Sequence, residues 1–409
     1  MTLRVFLTAP NIEPDATGES FVAYQWAKAL SEITDLTVFS LKRAHRPSLA
    51  EALPKARVLS APMPTTFSRW PRFEAQAKPQ YPVLMRVVRK ALIPIAHELD
   101  ITFQTMPQAA RYPIPLRSFD VPYVVGPLGG ALETPEAFKG EGKSAAWFTR
   151  ARVLDHLRFR HDPWLRASYA EAALVLGVAP YMEDVLGAIT LKRFAPVLEL
   201  GIADLPELPE RAPKTTGLNL LHVGRGVRTK GLRDVIRAMG HLKDSHPDLT
   251  LMSAGTGEEI DICRAEAQAL GIADRVTFKG QIAREEVETL YREADMFVFP
   301  SFREPAGNVL YEAMRWGLPV IAAARGGPDW IVDDTTGIRI PVTTPEKYAR
   351  EISTAIAALA GDPERRASMT AGARAKLERE GLWPAKAAAL AQLFEEVVAD
   401  TRRDARATG

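Results

Sequence analysis

Short apolar segments alternate with helical segments along this chain of 409 residues, and this alternation constrains the fold more than any other feature. Residues 3–9, 35–41 and 101–105 are strand-like, and residues 18–32 between the first two carry an apolar stripe at helical spacing. Parallel strands need a crossover connection, which a helix supplies. The sequence therefore predicts an α/β protein with Rossmann-like, doubly wound sheets.

The alternation restarts near residue 217, after a stretch with three prolines and little apolar periodicity at residues 201–216. A chain of this length has room for two or three domains. We predict an N-terminal domain at residues 1–200 and a C-terminal domain at residues 201–372. An Ala-rich helical segment is expected at residues 373–409, with an interruption at Leu382–Pro384.

Composition excludes several classes of protein. Cys263 is the only cysteine, so an internal disulfide or a thiolate cluster cannot form. No run of about 18 apolar residues is long enough to span a membrane. The first residues reach acidic side chains and proline too early for a signal peptide, so we predict a buried strand there and a cytoplasmic protein.

The richest motif is FPSFREPAGNVLYEAMRWGLPVIAAARGG at residues 299–327. It reads as strand, loop and helix, so the backbone N–H groups of Gly307, Asn308 and Val309 are expected at a helix N-terminus that suits a phosphate. Glu304 is expected at the strand end, facing the ligand crevice. Glu312 follows about one turn into the helix, where its carboxylate can accept from two ribose hydroxyls.

Two further loops follow predicted strands in this half. In HVGRGVRTKGLRDVIRAM, residues 222–239, Gly224 ends a strand, and Arg225 and Lys230 are expected to converge on one loop that clamps a diphosphate. In LMSAGTGEE, residues 251–259, Gly255 forms a tight turn at a strand end.

With VTFKGQI, LYREADMFVFPS and DDTTGIRI, these motifs resemble, in order and spacing over residues 217–345, the donor half of the family 4 retaining (group 1) glycosyltransferases. The resemblance implies the GT-B fold, which has two Rossmann-like domains, an inter-domain cleft and a C-terminal helix that crosses back to the N-terminal domain. It also implies that Arg225 and Lys230 neutralise the donor diphosphate, and that Glu312 binds the donor ribose. Glu304 would contact the donor sugar, and Gln281 and Ile282 would face the nucleobase.

The first half resembles the family less. The turn after the first strand offers one glycine, Gly18, at the mouth of a predicted helix. Residues 121–135 lack the histidine that many members carry after a middle strand. Gly129 and Gly130 in this stretch are predicted to bring backbone N–H groups to the donor sugar or phosphate, and a tight loop without a ligand is the alternative explanation.

The implied chemistry is transfer with retention of anomeric configuration by front-face attack, in which the leaving phosphate accepts the acceptor's proton. Arg225, Lys230 and Glu304 are the predicted catalytic residues, and the two cations among them, Arg225 and Lys230, are expected to stabilise the departing diphosphate. No metal or cofactor is expected besides the UDP-sugar substrate. We interpret Asp333-Asp334 as a turn rather than a metal-binding pair.

The N-terminal half is basic, with eleven Lys and Arg against two Glu between residues 42 and 93. Two stretches, residues 67–96 and 139–168, each interleave basic residues with aromatic ones. This composition suits an anionic membrane surface. Ordinary packing of amphipathic helices is the alternative explanation. The predicted membrane-binding residues are Arg69, Trp70, Arg72, Arg86, Arg89, Lys90, Trp147, Arg150, Arg152, Arg158, Arg160 and Trp164.

The sequence therefore predicts a glycosyltransferase, peripheral on the cytoplasmic face of the inner membrane. It would transfer a hexose or hexuronic acid from UDP-glucose, UDP-glucuronate or a relative to a lipid acceptor, with diacylglycerol the first choice. A saccharide acceptor of lipopolysaccharide or exopolysaccharide assembly is the alternative. A nucleotide-sugar isomerase or hydrolase is an alternative of another class. The near-neutral total charge argues against nucleic-acid binding.

Overall fold

The structure is a computed structural model and describes residues 2–16, 18–43, 48–63, 81–141, 153–210 and 213–408. The chain forms two compact units. Unit 1 comprises Met1–Gly130, Trp147–Leu200 and Trp383–Gly409, and unit 2 comprises Ala131–Ala146 and Gly201–Leu382. Residues 131–146, which lie inside the predicted N-terminal domain, thus group with unit 2.

Unit 1 is built on a sheet of seven parallel strands in the order β3-β2-β1-β4-β5-β6-β7. The strands are β1 Arg4–Ala9, β2 Asp35–Lys42, β3 Arg57–Pro62, β4 Ile101–Gln104, β5 Tyr123–Leu128, β6 Leu174–Gly177 and β7 Phe194–Pro196. The α-helices are Glu19–Ser31, Leu49–Ala52, Tyr81–Leu92, Val153–His161, Pro163–Ala170, Tyr181–Val185 and Trp383–Thr408. The central strands are buried, as expected of a parallel sheet covered by helices.

The C-terminal helix Trp383–Thr408 packs on this N-terminal sheet and its first helix. The Trp383 and Trp26 rings meet edge to face with centroids 5.3 Å apart, and Phe394 meets Phe103 at the same distance. The preceding helix, Pro363–Lys376, ends in a π-helical turn at Leu377–Gly381, after which the chain restarts as a helix. The predicted return of a C-terminal helix to the N-terminal domain is confirmed.

Unit 2 has a six-stranded parallel sheet in the order β10-β9-β8-β11-β12-β13. The strands are β8 Asn219–Val223, β9 Thr250–Ala254, β10 Val276–Gly280, β11 Met296–Phe299, β12 Val320–Ala323 and β13 Gly337–Ile340. The α-helices are Leu232–His241, Ile260–Ala269, Arg284–Glu293, Asn308–Arg315, Gly327–Ile331, Pro345–Ala360 and Pro363–Lys376. The predicted α/β class, with two doubly wound Rossmann-like sheets, is therefore confirmed.

Each sheet has one point at which the strand order reverses. In unit 1 it lies between β1 and β4, and in unit 2 between β8 and β11. Open α/β sheets bind ligands at the carboxyl ends of the strands beside such a switch point. The loops that follow β8 and β11 are therefore the candidate ligand-binding loops of unit 2.

Of the helices that the structure describes, none is long and apolar enough to cross a bilayer. Strand β3 is not predicted from the sequence. Its side chains are mostly half-buried or exposed, so the continuous apolar run typical of a central parallel strand is missing.

Candidate functional site

Lys230 and Glu304 form an ion pair at the switch point of unit 2. Lys230 follows β8 and Glu304 follows β11, so neighbouring parallel strands deliver both side chains to one edge of the sheet. The two side chains are only 14% and 13% exposed, and the ammonium also lies 5.5 Å from the centre of the Phe299 ring. The pair places a cation and a carboxylate side by side at the carboxyl end of the sheet.

The loop that carries Lys230, which we call the donor loop, spans residues 224–231 and is fixed from several sides. Arg228–Lys230 form a 3₁₀ turn, which Gly231 ends with φ of 80°. A Cβ at Gly231 would lie 2.3 Å from the carbonyl oxygen of Pro300, so only glycine fits there. Ser301 Oγ donates to the Thr229 carbonyl at 3.0 Å. The backbone that presents Lys230 is therefore tied to the start of the β11 loop.

His222 supports the same turn from within the core. Its Nε2 lies 3.0 Å from the Lys230 carbonyl oxygen, and the ring is fully buried. Burial lowers the pKa of His222 to about 4, so the ring is neutral at ordinary pH. His222 is a core histidine that positions backbone rather than a ligand-binding group.

Glycines let the loops after β8 and β9 lie directly on each other. A Cβ on Gly255 would stand 1.9 Å from the Gly224 carbonyl oxygen, and one on Gly257 would stand 2.2 Å from that of Gly226. The Gly226 N–H donates to the Thr256 carbonyl at 2.8 Å. The predicted donor-binding residues Gly224 and Gly255 thus have a packing function in addition to any contact with a ligand.

Gly307 begins the helix Asn308–Arg315 in a left-handed conformation, with φ of 91°. It thereby turns the chain from the Glu304 loop into the helix. Four residues into that helix, Glu312 accepts a hydrogen bond from the Tyr291 hydroxyl at 3.2 Å. Burial raises the pKa of Glu312, while this hydrogen bond opposes the rise. The helix therefore holds a half-buried, oriented carboxylate one turn beyond its N-terminus.

Arg228, Asp234 and Glu141 form a buried charge cluster next to Lys230 in the sequence of the turn, and this cluster was not predicted from the sequence. Arg228 is 5% exposed and donates to Asp234 at 2.6 Å and 2.9 Å and to Glu141 at 2.6 Å and 3.0 Å. Burial opposes the charge of Arg228, but its bonds to Asp234 and Glu141 outweigh this and raise the pKa of the guanidinium. The RTKG sequence contains two cations, and nothing in their spacing indicates which one turns inward.

The remaining predicted donor-side residues are more dispersed. Arg225 lies in the donor loop, is exposed, and forms no ion pair with any described residue. Gln281 is exposed and Ile282 half-buried in the turn after β10. Asn308 and Val309 begin the helix that Gly307 caps. Of the predicted catalytic set, only Lys230 and Glu304 are in contact.

Gly18, Gly129 and Gly130 belong to unit 1. Gly18 precedes the helix Glu19–Ser31 with φ of 67°, and no atom comes within 4 Å of where its Cβ would be. Gly130 has φ of 102°, and its N–H lies 3.2 Å from the Tyr181 hydroxyl. The Gly129 N–H donates to the Gln108 carbonyl at 2.9 Å. The Gly129 N–H thus already has a hydrogen-bond acceptor within unit 1.

Among the predicted membrane-binding residues, Arg69, Trp70, Arg72, Trp147, Arg150 and Arg152 lie outside the described part of the chain. The helix Tyr81–Leu92 carries Arg86, Arg89 and Lys90 on its exposed face. Its apolar residues Leu84, Val88 and Leu92 are fully buried in unit 1. The apolar stripe of this helix is a packing face, so only its basic face is open to a partner.

The next two helices are more open. Trp164 is 70% exposed, Leu157 is 51% exposed, and Arg160 is exposed as well. Arg158 instead pairs with Asp162 at 2.9 Å and donates to the Arg111 carbonyl at 2.8 Å. Arg158 therefore has a structural partner, whereas Trp164 and Arg160 present their side chains to solvent.

The described residues contain no cluster of three or more His, Cys, Asp or Glu side chains arranged to hold a metal ion. Asp333 begins a tight turn, in which its carbonyl accepts from the N–H groups of Thr336 and Gly337. Its carboxylate accepts from Lys376 at 2.8 Å. The interpretation of Asp333-Asp334 as a turn agrees with this geometry.

Comparison with known sequences matches residues 207–376 to the family described as glycosyl transferases group 1. The chain is similar to D-inositol 3-phosphate glycosyltransferase of Xylanimonas cellulosilytica, with 34% identity over 46% of this chain and 44% of that protein. It is also similar to the GDP-mannose-dependent alpha-(1-6)-phosphatidylinositol monomannoside mannosyltransferase of Mycolicibacterium smegmatis, with 29% identity over 59% of this chain and 62% of that protein. The chain thus spans about half the length of the curated relatives it matches.

Solved structures match almost the whole chain at low identity. The sucrose-phosphate synthase of Thermosynechococcus elongatus superposes with a TM-score of 0.64 at 20% identity, covering 97% of this chain and all of that one. HepE of Anabaena in complex with UDP and glucose gives a TM-score of 0.58 at 18% identity, covering 96% and 99%. The predicted GT-B fold is confirmed by these matches. The family model matches residues 207–376, so it is this part of the chain that is similar in sequence to the group 1 glycosyltransferases, while the solved structures show the fold.

Proposed function

We propose that this protein is a retaining hexosyltransferase that moves a hexose or hexuronic acid from a UDP-sugar to a membrane lipid, with diacylglycerol as the acceptor. The observation that carries the proposal is the Lys230–Glu304 pair, held at the switch point of the C-terminal sheet beside the helix that begins at Gly307. The match of residues 207–376 to the group 1 glycosyltransferase family supports the sugar transfer, and the complex of a structural neighbour with UDP supports a uridine nucleotide.

The donor would bind with its diphosphate against Lys230, Arg225 and the N-terminus of the helix Asn308–Arg315. A cation and the positive end of a helix dipole both favour the negative charge that builds on the diphosphate as the sugar leaves. Because Lys230 is mostly buried, its charge is less screened than that of a surface lysine. Arg225 is exposed, so its guanidinium is open to the diphosphate of an arriving donor.

Two carboxylates would position the rest of the donor. Glu304 would accept hydrogen bonds from hydroxyls of the donor sugar, and Glu312 would accept from the ribose hydroxyls. In the front-face reaction, the acceptor hydroxyl attacks the anomeric carbon on the side from which the diphosphate departs. The bond from that carbon to the diphosphate oxygen breaks, and the leaving phosphate oxygen takes the acceptor's proton. No protein nucleophile is needed, so Glu304 acts by orientation.

The lipid acceptor rests on the open basic surface of unit 1. Arg86, Arg89 and Lys90 line the exposed face of one helix, and Ile93, which is 69% exposed, follows its last turn. Trp164 adds an exposed aromatic side chain. Anionic lipids attract such cations, while exposed Trp and Ile side chains settle at headgroup depth. We therefore place the protein at the cytoplasmic face of the inner membrane.

The test is product mass spectrometry after incubation with a panel of nucleotide sugars and liposomes that contain diacylglycerol, with a matched reaction without lipid. A lipid that gains one hexose or hexuronic acid mass supports the proposal and identifies the donor. A saccharide acceptor that gains the same mass, when the lipid does not, overturns the lipid assignment alone. Consumption of the donor without any acceptor product favours an isomerase or a hydrolase.

A further inference from the structure

The segment Ala131–Glu141, which we call the crossover segment, belongs to unit 2 although the residues before it form β5 of unit 1. Phe138 is buried in the core of unit 2 and packs on Phe302 and Tyr348, with ring centroids 4.4 Å and 5.8 Å away. This part of the chain lies far in sequence from the donor loop, and the proposed function gives it no task.

The crossover segment contacts the donor loop through Glu141. Its carboxylate accepts from Arg228 at 2.6 Å and from Arg237 at 2.8 Å. The Arg228 guanidinium also lies 5.2 Å from the centre of the Phe138 ring. Arg228 is two residues before Lys230 in the same 3₁₀ turn. The contacts that hold Arg228 therefore also fix the backbone from which the Lys230 side chain extends.

The same segment also contacts the Glu304 loop. Phe302, on which Phe138 packs, is two residues before Glu304. Leu132 packs against Gly326, where an added Cβ would meet both the Leu132 side chain at 2.6 Å and the Glu304 carbonyl oxygen at 2.5 Å. Both partners of the Lys230–Glu304 pair are thus supported by residues of one segment.

We propose that the crossover segment positions the donor site, with Glu141 and Phe138 acting as positioning residues for Lys230 and Glu304. The inference rests on the proposed function, because it assigns the segment to the same diphosphate site. Glu141 neutralises the inward-facing arginine, so Arg228 stays in the core while Lys230 points to the ligand. Without that carboxylate, Arg228 keeps Asp234 but loses half of its partners, and the turn loses its fixed position.

The experiment measures UDP binding by calorimetry and thermal unfolding for Glu141→Gln, with Glu136→Gln as the matched control. Glu136 is exposed and pairs only with Lys139, three residues away, among the described side chains. We expect Glu141→Gln to weaken UDP binding about tenfold, because a displaced Lys230 would lose a charge-assisted contact with the diphosphate. The control variant should bind UDP like the wild type.

A thermodynamic cycle separates positioning from plain stability. In a Lys230→Ala background, Glu141→Gln should weaken UDP binding no further, because its effect passes through Lys230. A full additional loss there, or a lowered unfolding temperature with unchanged UDP affinity, would overturn the inference. Phe138→Leu, which keeps an apolar side chain but removes the ring, provides a second variant with the same expected loss if Glu141→Gln does not fold.

The controls also separate this inference from the proposed function. Wild-type protein that binds no UDP overturns both. Wild-type protein that binds UDP, while Glu141→Gln and Phe138→Leu bind it equally well, overturns only the positioning role. Coupling between Glu141 and Lys230 in UDP binding supports the inference whether the acceptor proves to be a lipid or a saccharide.

Discussion

The cations of the donor loop in unit 2 differ from the cations on the helix Tyr81–Leu92 in unit 1. Arg228 and Lys230 are held by carboxylates and are mostly buried. Arg86, Arg89 and Lys90 are exposed and form no ion pair with any other described residue. Both sets look alike in sequence, as basic residues beside apolar ones.

The difference indicates two uses of positive charge. A buried cation is costly unless it is paired, and pairing fixes its position to within a hydrogen-bond length. Exposed, unpaired cations have no fixed position, but their fields add and can attract an anionic surface. We therefore expect variants in unit 2 to act on one bound molecule, and variants in unit 1 to act through total charge and salt concentration.

The largest expected effect is that of Lys230→Ala. Removing a preorganised cation from the departing diphosphate should lower the rate of sugar transfer by a factor of about one hundred to one thousand. Transfer is measured with the donor that the mass-spectrometry panel identifies. Lys243→Ala, an exposed lysine in the same unit, is the matched control and should retain the wild-type rate. A normal rate of sugar transfer by Lys230→Ala would show that Lys230 does not belong to the donor site.

A smaller effect is expected when Arg86, Arg89 and Lys90 are all changed to Gln. Each exposed cation contributes about 1 kcal/mol to binding at an anionic surface, so the triple variant should bind vesicles of anionic lipid roughly one hundred times more weakly. Cosedimentation measures this, and added salt should weaken the wild type in the same direction. Lys243→Gln with Arg350→Gln and Arg365→Gln removes the same charge from unit 2. Equal losses in both triples would mean that the helix is not a specific membrane contact.

Glu304→Gln should affect UDP binding in the opposite direction to Lys230→Ala. The carboxylate competes with the diphosphate for the Lys230 ammonium, so its removal should tighten UDP binding about fivefold, or roughly 1 kcal/mol for a partly buried pair. Sugar transfer should fall at the same time, because the proposed contact with the donor sugar is lost. Weaker UDP binding in this variant would show that Glu304 supports the diphosphate site instead of competing for Lys230.

The sequence predicted the fold, but not the contacts within the candidate site. Apolar segments are sufficient to predict strands such as β8 and β11, because β11 is buried throughout and β8 is buried at its three central residues. The contact between Glu141 and Arg228 joins residues 87 positions apart, and no local pattern records such a pairing. Similarly, the apolar face of Tyr81–Leu92 has the same spacing whether it meets a bilayer or a core.

The last expected effect vanishes well above the pKa of Glu312, and it sharpens the rule that burial governs charge in unit 2. Because burial raises the pKa of Glu312, donor binding should weaken with falling pH earlier than an exposed glutamate would allow, as the carboxylate that accepts from the ribose becomes protonated. The Tyr291 hydroxyl stabilises the charged form, and its removal in Tyr291→Phe should raise that pKa further.

In Tyr291→Phe, the loss of UDP affinity at acidic pH should therefore begin at a higher pH than in the wild type. The shift should be up to about one pH unit, since a hydrogen bond to a charged group contributes about 1.5 kcal/mol. Well above the raised pKa the carboxylate is ionised in both proteins, so their affinities should converge there. Tyr24→Phe, which changes a half-buried hydroxyl in unit 1, is the matched control and should leave the pH profile in place. An unchanged acid limb in Tyr291→Phe would mean that the group titrating in UDP binding is not Glu312.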